Sequence, residues 1–388
     1  MDISFFFRPL DPQAYEPHLG ASPQSLGSLV DFYQGPFPHW HDADIVLLGV
    51  PEDRGTLLER GPAAAPRAIR ERLYRLAAPV PGLRLADLGD LAPKDDLDEV
   101  YPALGFVLGE LLKARKTVVL LGGTHDLVYG QYLGYQELET NIEVVSIDAR
   151  PDMLDAEVAL HHQSHHSQVF MHSPNYLYHF CNLAAQSYYI TEVERKTLKA
   201  MNFELVRVGE LKGNIRRAEP YLRMAHLVSF DMGAIRASDA PGASTALPAG
   251  LTTEEACTVA RYAGMGYRCS SFGVYELTPA HDPRGQTAEL GALLAWHFIE
   301  GYYNRSPDQP KADRSNLQRY TAALYGAIPE IVFFRSDATD RWWMEVPSPA
   351  QLAGKRGPSQ LVACTEDDYH TALHNEIPER WWLAHYRF

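Results

Sequence analysis

Two aspartates, Asp148 and Asp152, stand four residues apart directly after an apolar, β-branched run, Val144 to Ile147. A loop at the carboxyl end of a buried strand presents side chains in this way, and paired carboxylates there are typical ligands of a divalent cation. Arg150 lies between them. Its guanidinium is either an ordinary ion-pair partner or a cation in the place of a metal ion, and this choice decides whether the protein is an enzyme.

Two further loops carry polar residues of the same kind. His125 follows Gly122 and Gly123 at the end of one apolar run, and Asp231 ends another run after Ser229. Because the carboxyl ends of parallel strands meet at one crevice, we expect these side chains to lie beside the two aspartates. One imidazole and three carboxylates provide the nitrogen and oxygen ligands that Mn²⁺ takes. The three loops together therefore predict a site for a divalent cation.

The elements that position these loops alternate regularly. Short apolar runs bounded by glycine alternate with longer amphipathic segments, which is typical of β-α units on a parallel sheet. We predict strands at 45–50, 83–88, 117–121, 143–147, 205–208, 227–230 and 271–275. We predict helices at 66–76, 97–114, 192–201, 214–224 and 254–263, the last with a capping box of Thr252 and Glu255. The predicted fold class is α/β, with a sheet buried on both faces.

The pattern changes after residue 304. Two apolar runs, 330–335 and 341–346, flank a turn at 336–340, and we predict that they pair as strands. Four of the six tryptophans lie in this tail: Trp342, Trp343, Trp381 and Trp382. Such a tail should pack on the main body or on a neighbouring subunit. The predicted organisation is an N-terminal segment over 1–42, an α/β domain over 43–304 and an aromatic-rich C-terminal extension over 305–388.

Composition argues against several classes of partner. The formal charge of −14 is spread along the 388 residues, which disfavours nucleic acid and anionic membranes. The N-terminus has no basic leader, and no run approaches the ~18 apolar residues of a membrane span. The four cysteines are far apart and form no C-x-x-C pair, as expected in a reducing cytoplasm. We therefore expect a soluble, cytoplasmic protein that binds a small molecule.

Seven motifs, in order along the chain, carry a family resemblance. They are Gly49-Val50-Pro51-Glu52-Asp53, Gly61-Pro62-Ala63-Ala64-Ala65-Pro66-Arg67, Gly122-Gly123-Thr124-His125-Asp126, Asp148-Ala149-Arg150-Pro151-Asp152, Ser229-Phe230-Asp231-Met232-Gly233, Ala240-Pro241-Gly242 and Glu276-Leu277-Thr278-Pro279. Over residues 43–303 the chain resembles the ureohydrolase family of arginases, agmatinases and formimidoylglutamases. The resemblance implies a three-layer αβα arginase-like fold with a central, mostly parallel sheet. It also implies metal-assisted hydrolysis of guanidino or formimino C–N bonds.

The ligands that the resemblance implies are unevenly preserved. In the family two manganese ions share a bridging hydroxide. The residues that match the ligands of the first ion are all present: His125, Asp148, Asp152 and Asp231. Both positions that serve only the second ion have changed, to Arg150 and Gly233, and Arg236 stands where the family has a further aspartate. We therefore predict one divalent ion, Mn²⁺, with Asp148 as a catalytic residue as well as a ligand.

Charge balance leaves two alternatives for this site. The three aspartates balance one divalent ion together with the guanidinium of Arg150, which would then stand in electrostatically for the second ion. In the other alternative Arg150 and Arg236 pair with all three carboxylates and exclude metal altogether. That arrangement would be a structural salt-bridge cluster. The sequence is compatible with both.

Two residues are expected to contact the substrate. Glu276 matches the family glutamate that receives the guanidino or formimino group, so we predict it as a catalytic and substrate-binding residue. The alternative is a strand-end carboxylate paired with an arginine. Asn175 lies where family members place a substrate-contacting loop, and we predict it as a second substrate-binding residue.

The segment His161-His162-Gln163-Ser164-His165-His166 is rich in histidine. On a helix its i, i+4 pairs would each face one way and chelate a metal. Such pairs are common, so we interpret the segment as a solvated surface helix or loop.

Three functions fit these observations. The first is a hydrolase of linear amidines with one ion or an altered site, and Asp126 and the run Ala240 to Ser244 favour a formimidoylglutamate-like substrate. The second is a two-metal ureohydrolase whose missing ligands come from elsewhere, such as the histidine segment. The third is a catalytically inactive binding or scaffold protein whose tail contacts the partner. In each case we expect a homo-oligomer with an amidine or amino-acid-like ligand.

Overall fold

The chain is built on two β-sheets, and a computed structural model describes residues 2–11, 15, 22–153, 160–306, 308–326, 328–352 and 356–387. The strands of the larger sheet are β1 (Phe7–Arg8), β2 (Asp31–Phe32), β3 (Ile45–Gly49), β4 (Leu85–Leu91), β5 (Thr117–Leu121), β6 (Ile142–Ile147), β7 (Leu177–Ala185), β8 (Glu204–Arg207), β9 (Leu227–Asp231) and β10 (Ser271–Tyr275). The α-helices of this part are α1 (Ala65–Leu73), α2 (Leu97–Lys113), α3 (Leu127–Leu133), α4 (His165–Met171), α5 (Glu192–Ala200), α6 (Val208–Gly213), α7 (Glu219–Met224), α8 (Thr253–Met265) and α9 (Gln286–Tyr303).

The larger sheet is mostly parallel. Its strand order is β1-β4-β3-β5-β10-β9-β6-β7-β8, and β2 also pairs with β4. Only the short β1 runs antiparallel to its neighbour among the described strands of this sheet. The prediction of an α/β fold on a mostly parallel sheet is confirmed. The strands β5, β10, β9 and β6 lie next to one another in the centre, so their carboxyl ends share one edge.

Alternating side chains of each central strand enter two separate cores. In β3, Ile45 and Leu47 pack in a cluster with residues of α1, α8 and α9, whereas Val46 and Leu48 pack with α2 and α3 on the other face. A strand that is apolar on both faces needs helices on both sides, which produces three layers. Each fully buried side chain of this type contributes about 1.5–3 kcal/mol relative to an exposed one.

The predicted elements of this part are present, with shifted ends. All seven predicted strands form, and the capping box of α8 is confirmed: the Thr252 hydroxyl accepts from the Glu255 N–H, and the Glu255 carboxylate accepts from the Thr252 N–H. The segment predicted as a helix at 214–224 is instead a 3-10 turn, Ile215–Ala218, followed by α7. The nine-residue β7 was not predicted. In the part of the chain that is described, no helix combines the length and apolar character needed to cross a bilayer.

The smaller sheet lies in the C-terminal part. Its strands, all antiparallel, are β11 (Gln318–Ala323), β12 (Glu330–Arg335), β13 (Trp342–Pro347) and β14 (Ser359–Cys364). The accompanying helices are α10 (Pro349–Leu352), α11 (Glu366–Leu373) and α12 (Glu379–Tyr386). The predicted pairing of the two apolar runs is confirmed, with Arg335 opposite Trp342. The division into segments 1–42, 43–304 and 305–388 stays a prediction.

The two faces of the smaller sheet have different neighbours. One face packs against α11 and α12 around Trp342 and Trp381. The other face places Trp343 over the guanidinium of Arg223, with 4.5 Å between the guanidinium carbon and the ring centroid. Arg223 belongs to α7 and is buried, and its Nη2 also donates to the carbonyl of Cys364 in β14. This arginine therefore links the smaller sheet to helix α7 of the α/β part.

Replacing Trp343 with alanine is expected to lower the free energy of unfolding by about 3–5 kcal/mol, because it empties a buried contact between the smaller sheet and α7. Denaturant unfolding followed by circular dichroism measures this. Trp382→Ala is the matched control, since Trp382 is only partly buried on α12, and it should cost less. If both variants lose the same free energy of unfolding, the contact of Trp343 with α7 is not what stabilises the protein.

Candidate metal centre

Four adjacent strands bring the predicted ligands to one edge of the larger sheet. His125 lies in the loop after β5, Asp148 directly follows β6, Asp231 ends β9, and Glu276 directly follows β10. Since these strands are parallel neighbours, their carboxyl ends open into one crevice. Asp152 reaches the same place from the loop after Asp148. The structure therefore assembles these five side chains from loops that are distant in the sequence.

The ligand atoms converge on one nitrogen of His125. Its Nδ1 lies 3.1 Å from Asp152 Oδ2 and 3.4 Å from Oδ2 of both Asp148 and Asp231. All four side chains are at least largely buried. A metal ion at the centre of such a group would have one nitrogen and three oxygen ligands, which suits Mn²⁺.

The histidine is held in this orientation by its surroundings. Its backbone N–H donates to Glu276 Oε1 over 2.8 Å, and its Nε2 lies 3.2 Å from the hydroxyl of Ser229. The Ser229 hydroxyl in turn donates to Ser146. Hydrogen bonding at the second ring nitrogen fixes the direction of the first, as in metal-binding histidines. Nδ1 is therefore directed at the carboxylates.

Two residues of the site have a left-handed backbone. The φ angle is 44° at Asp152 and 62° at Glu276. A residue other than glycine in this region costs roughly 1–3 kcal/mol, and such strain tends to occur at functional sites. Here the left-handed conformation directs both carboxylates towards the crevice, next to His125.

The electrostatics of the cluster favour a cation. Burial, followed by the charge of Asp148, raises the pKa of Asp152 and of Asp231 well above the usual value. Burial opposes the ionisation of Asp148 as well, but its interaction with the His125 imidazole outweighs this and lowers its pKa. Burial would lower the pKa of His125, and the surrounding carboxylates instead raise it. Three carboxylates this close are ionised together only when a positive charge joins them.

Unpartnered buried oxygens also fit a bound ion. Asp148 Oδ2 and Glu276 Oε2 are excluded from solvent and have no hydrogen-bond partner within the described chain. Buried polar atoms nearly always have a partner, so atoms of this kind at a crevice indicate a ligand or an ion. The residues present therefore suit a divalent cation held by His125, Asp148, Asp152 and Asp231.

Neither predicted arginine pairs with these carboxylates. The Arg150 guanidinium stacks on Tyr189, 4.7 Å from the ring centroid, and makes no ion pair with a described carboxylate. Arg236 pairs instead with Asp239 at 2.7 Å and is 42% exposed. The alternative in which both arginines neutralise the three aspartates and exclude metal is therefore wrong. Arg150 nevertheless lines the same crevice, and its charge opposes the rise in the pKa of Asp152. Its role as an electrostatic substitute for a second ion stays a prediction.

The positions of the lost ligands contribute backbone groups. The N–H of Arg150 donates to Asp148 Oδ1 over 3.0 Å, and the N–H of Gly233 donates to Asp231 Oδ1 over 2.5 Å. Each donor lies two residues after its aspartate and orients that carboxylate. One oxygen of each carboxylate is thereby engaged, and the other oxygen, Oδ2, faces His125.

The histidine segment is buried at the site, which corrects our interpretation of a solvated surface element. His165 begins α4, its ring centroid lies 4.4 Å from that of His125, and its Nδ1 lies 3.9 Å from Asp152 Oδ2. His162 Nδ1 lies 3.5 Å from Glu276 Oε1. Burial lowers the pKa of His165 well below its usual value and that of His166 to about 3. The sequence signal was the density of histidines, but their burial depends on long-range packing.

Asn175 is a second correction. It lies just before β7, at the amino end of the strands, where its side chain accepts a hydrogen bond from Tyr132 and donates to the carbonyls of Val169 and Phe170. The carboxylates stand at the opposite end of the sheet. The predicted contact between Asn175 and a substrate in the crevice is therefore wrong.

The crevice itself is lined by predicted and unpredicted residues. Its walls are Asp148, Ala149, Arg150, Asp152, His162, Gln163, Asp231, Gly233, Thr245, Leu247 and Glu276. Asp126, on which the choice of a formimidoylglutamate-like substrate partly rested, is fully buried and accepts a hydrogen bond from Tyr101 over 2.7 Å. It does not line the crevice.

Metal binding is expected to stabilise the protein more at pH 8 than at pH 5. The folded-state pKa values of Asp152 and Asp231 are raised, so their protonation stabilises the metal-free fold below the unfolded value of about 3.9. That stability is lost as the pH rises through the folded pKa. A bound ion displaces these protons. Melting temperatures with Mn²⁺ and with chelator, across this pH range, measure the effect, and an increment independent of pH would contradict it.

Comparisons with known proteins agree with this geometry. A family model described as the Arginase family matches residues 43–300. A formimidoylglutamase of Geobacillus kaustophilus is 26% identical over 270 residues, which cover 67% of this chain and 82% of the relative. A guanidinobutyrase of Pseudomonas aeruginosa is 26% identical over 279 residues, covering 66% of this chain and 85% of the relative.

Solved structures show the same architecture. The crystal structure of Trypanosoma cruzi formiminoglutamase with Mn²⁺ superimposes with a TM-score of 0.64 at 21% identity, covering 68% of this chain and 95% of that one. The Bacillus subtilis formimidoylglutamase superimposes with a TM-score of 0.65 at 20% identity, covering 71% of this chain and 91% of that one. At these identities the likeness establishes the three-layer fold.

Proposed function

Given that the chain belongs to the arginase family, that of the ureohydrolases, we propose that it is a metal-dependent hydrolase of a linear amidine C–N bond. We propose formimidoylglutamate or a similar amino acid derivative as the substrate, because several relatives are formimidoylglutamases. The observation that carries the proposal is the convergence of three buried carboxylates on His125 Nδ1. The proposed centre holds one Mn²⁺ ion.

The first half of the reaction needs an activated water. When bound, the ion supplies Lewis-acid activation of that water. The chain supplies His125, Asp148, Asp152 and Asp231 to hold it. Asp148 Oδ1 accepts from the N–H of Arg150, and Oδ2 has no hydrogen bond. Oδ2 would therefore both hold the ion and take a proton from the attacking water. The water adds to the amidine carbon, the C–N bond breaks, and the proton leaves with the amine.

Glu276 is the proposed receptor of the amidine group. Its Oε1 is fixed by the N–H of His125, and its buried Oε2 has no partner among the described residues. A carboxylate with one free oxygen binds the N–H groups of a cationic amidine through charge-assisted hydrogen bonds. His162 lies beside it and lines the same crevice. Glu276 therefore orients the amidine carbon towards the metal ligands.

We also propose that the protein is cytoplasmic and forms a homo-oligomer. The described structure has four free, buried cysteines, which suits a reducing cytoplasm. A homo-oligomer with a small amidine or amino-acid-like ligand, and without a nucleic acid or membrane partner, remains our expectation. Light scattering of the purified protein tests the oligomeric state.

Turnover of four substrates tests the proposed activity. The Mn²⁺-loaded protein is incubated with formimidoylglutamate, 4-guanidinobutanoate, agmatine and arginine, and the released formamide or urea is measured. We expect hydrolysis of formimidoylglutamate and its loss in Glu276→Gln. The exposed Glu254 provides the control variant Glu254→Gln, which should retain the rate. Bound metal without turnover of any substrate would overturn the proposed activity.

A second candidate is a catalytically inactive binding or scaffold protein. The replacement of both ligands that serve only the second ion, at Arg150 and Gly233, favours this alternative. A third arrangement retains two ions and uses the histidine segment, since His125, Asp152 and His165 form another group that suits a metal. Elemental analysis after dialysis separates the three, because they predict one ion, none or two.

A further inference from the structure

The Arg150 guanidinium is a cation without a partner in the crevice. Its Nε is excluded from solvent and has no hydrogen-bond partner, and no ion pair joins it to any carboxylate of the described residues. The ring of Tyr189 supports one face of the guanidinium at 4.7 Å. Stacking of this kind orients the planar group but leaves its N–H groups free.

A guanidinium in this state is suited to receive an anion. Arg150 as a whole is only partly buried, but its Nε is excluded from solvent, and buried polar atoms are nearly always hydrogen-bonded. The three aspartates nearby do not provide the partner, since they converge on His125 instead. The partner that the geometry allows is therefore a group that enters the crevice with the ligand.

Arg150 and the proposed amidine receptor Glu276 line the same crevice, which is open to solvent. Gly233 contributes no side chain to the wall, and Thr245 and Leu247 are its uncharged neighbours. A linear molecule can therefore place a cationic end on Glu276 and extend its other end along a wall that carries Arg150.

We propose that Arg150 binds a carboxylate of the substrate, so that the crevice selects linear amidines with an anionic far end. The inference rests on the proposed function, because it takes Glu276 as the receptor of the amidine. Arginine binds a carboxylate through two parallel N–H···O bonds, whereas an ammonium group in the same place would be repelled. The position that serves the second ion elsewhere in the family thus serves substrate selection in this chain.

Three guanidino compounds separate this effect from binding of the guanidino group itself. They are 4-guanidinobutanoate with a carboxylate end, butylguanidine with a neutral end, and agmatine with an ammonium end. Calorimetric titration of the Mn²⁺-loaded protein should give at least about tenfold tighter binding of 4-guanidinobutanoate than of agmatine, as expected for one charge-assisted contact. In Arg150→Met this ratio should fall to about one. Arg150→Lys keeps the positive charge but loses the two parallel N–H donors of the guanidinium, so it should retain part of the preference for 4-guanidinobutanoate.

Arg236→Met is the matched control, because Arg236 is the other arginine near the site and is already paired with Asp239. This variant should keep the ratio of the wild-type protein, and metal content should be unchanged in all variants. A ratio that survives in Arg150→Met, or a wild-type protein that prefers agmatine, would overturn the inference. Tighter binding of the carboxylate compound without turnover of any substrate would contradict only the proposed hydrolysis. Turnover without a preference for the carboxylate compound would contradict only the proposed role of Arg150.

Discussion

Asparagine in place of Asp231 is expected to lower the affinity for Mn²⁺ by roughly 100-fold, and amidine hydrolysis should fall with the bound metal. The amide keeps the shape of the side chain and can still accept from the N–H of Gly233, but it removes a negative charge 3.4 Å from His125 Nδ1. Replacing residues that merely support a metal ligand already costs about 10–100-fold. Replacing a direct ligand should therefore lower the affinity by the upper end of this range. Competition with a chelator of known affinity measures the change.

The same substitution should stabilise the protein when no metal is bound. Burial and the charge of Asp148 raise the pKa of Asp231, so its ionised form is unfavourable at pH 8, whereas an amide carries no charge to bury. The metal-free variant should consequently melt at a higher temperature than the metal-free wild-type protein. Adding Mn²⁺ should then stabilise the variant much less than the wild type. These opposite signs distinguish the loss of a ligand from general damage to the fold.

Asp239→Asn provides the comparison for Asp231→Asn. Asp239 lies in the same loop and undergoes the same chemical change, but it pairs with Arg236 and accepts from the N–H of Thr253, outside the carboxylate cluster. It should lose some stability and retain the metal affinity of the wild type. If both variants bind Mn²⁺ equally well, Asp231 is not a ligand.

The sequence was sufficient to predict the central strands, because they are buried on both faces and their residues form continuous apolar runs. It was not sufficient to predict β7, which is buried from His179 onward but contains the polar residues His179 and Asn182. These polar residues find their partners among distant groups. Asn182 donates to the carbonyl of Asp148, and His179 lies within ion-pair distance of Glu143 and Glu204. None of these partners is a neighbour in the sequence.

Motif spacing predicted the residues that meet at the metal centre, since each motif follows a strand and parallel strands end at one edge. The same reasoning misplaced Asn175, whose position depends on where β7 begins. It also misjudged the histidine segment. Periodicity cannot distinguish a helix that faces solvent from one whose first residue, His165, packs on His125. Such contacts are set by the tertiary fold.

The double variant Arg150→His with Gly233→Asp is expected to bind one more metal ion than the wild-type protein. Asp148 and Asp231 are already oriented by the N–H groups of residues 150 and 233, so the new side chains would extend from positions next to both carboxylates. An imidazole and a carboxylate would then join two existing oxygen donors. Elemental analysis after dialysis should rise from about one to about two Mn²⁺ per chain. Each single change adds only one ligand and should leave the stoichiometry unchanged.

The space at Gly233 decides how well the second ion is held. A Cβ there would lie 3.0 Å from Asp231 Oδ1 and 3.1 Å from the carbonyl of Thr245, so these neighbours must move by a few tenths of an ångström. Gly233 is not among the glycines with a positive φ, and the backbone therefore accepts a side chain without left-handed strain. Movement of Asp231 towards a second ion relieves the contact, whereas without metal the contact persists. In the presence of chelator, the double variant should therefore be less stable than the wild-type protein, and Mn²⁺ should restore that stability. If the double variant still binds one Mn²⁺ per chain, Arg150 and Gly233 are not the residues that limit the centre to a single ion.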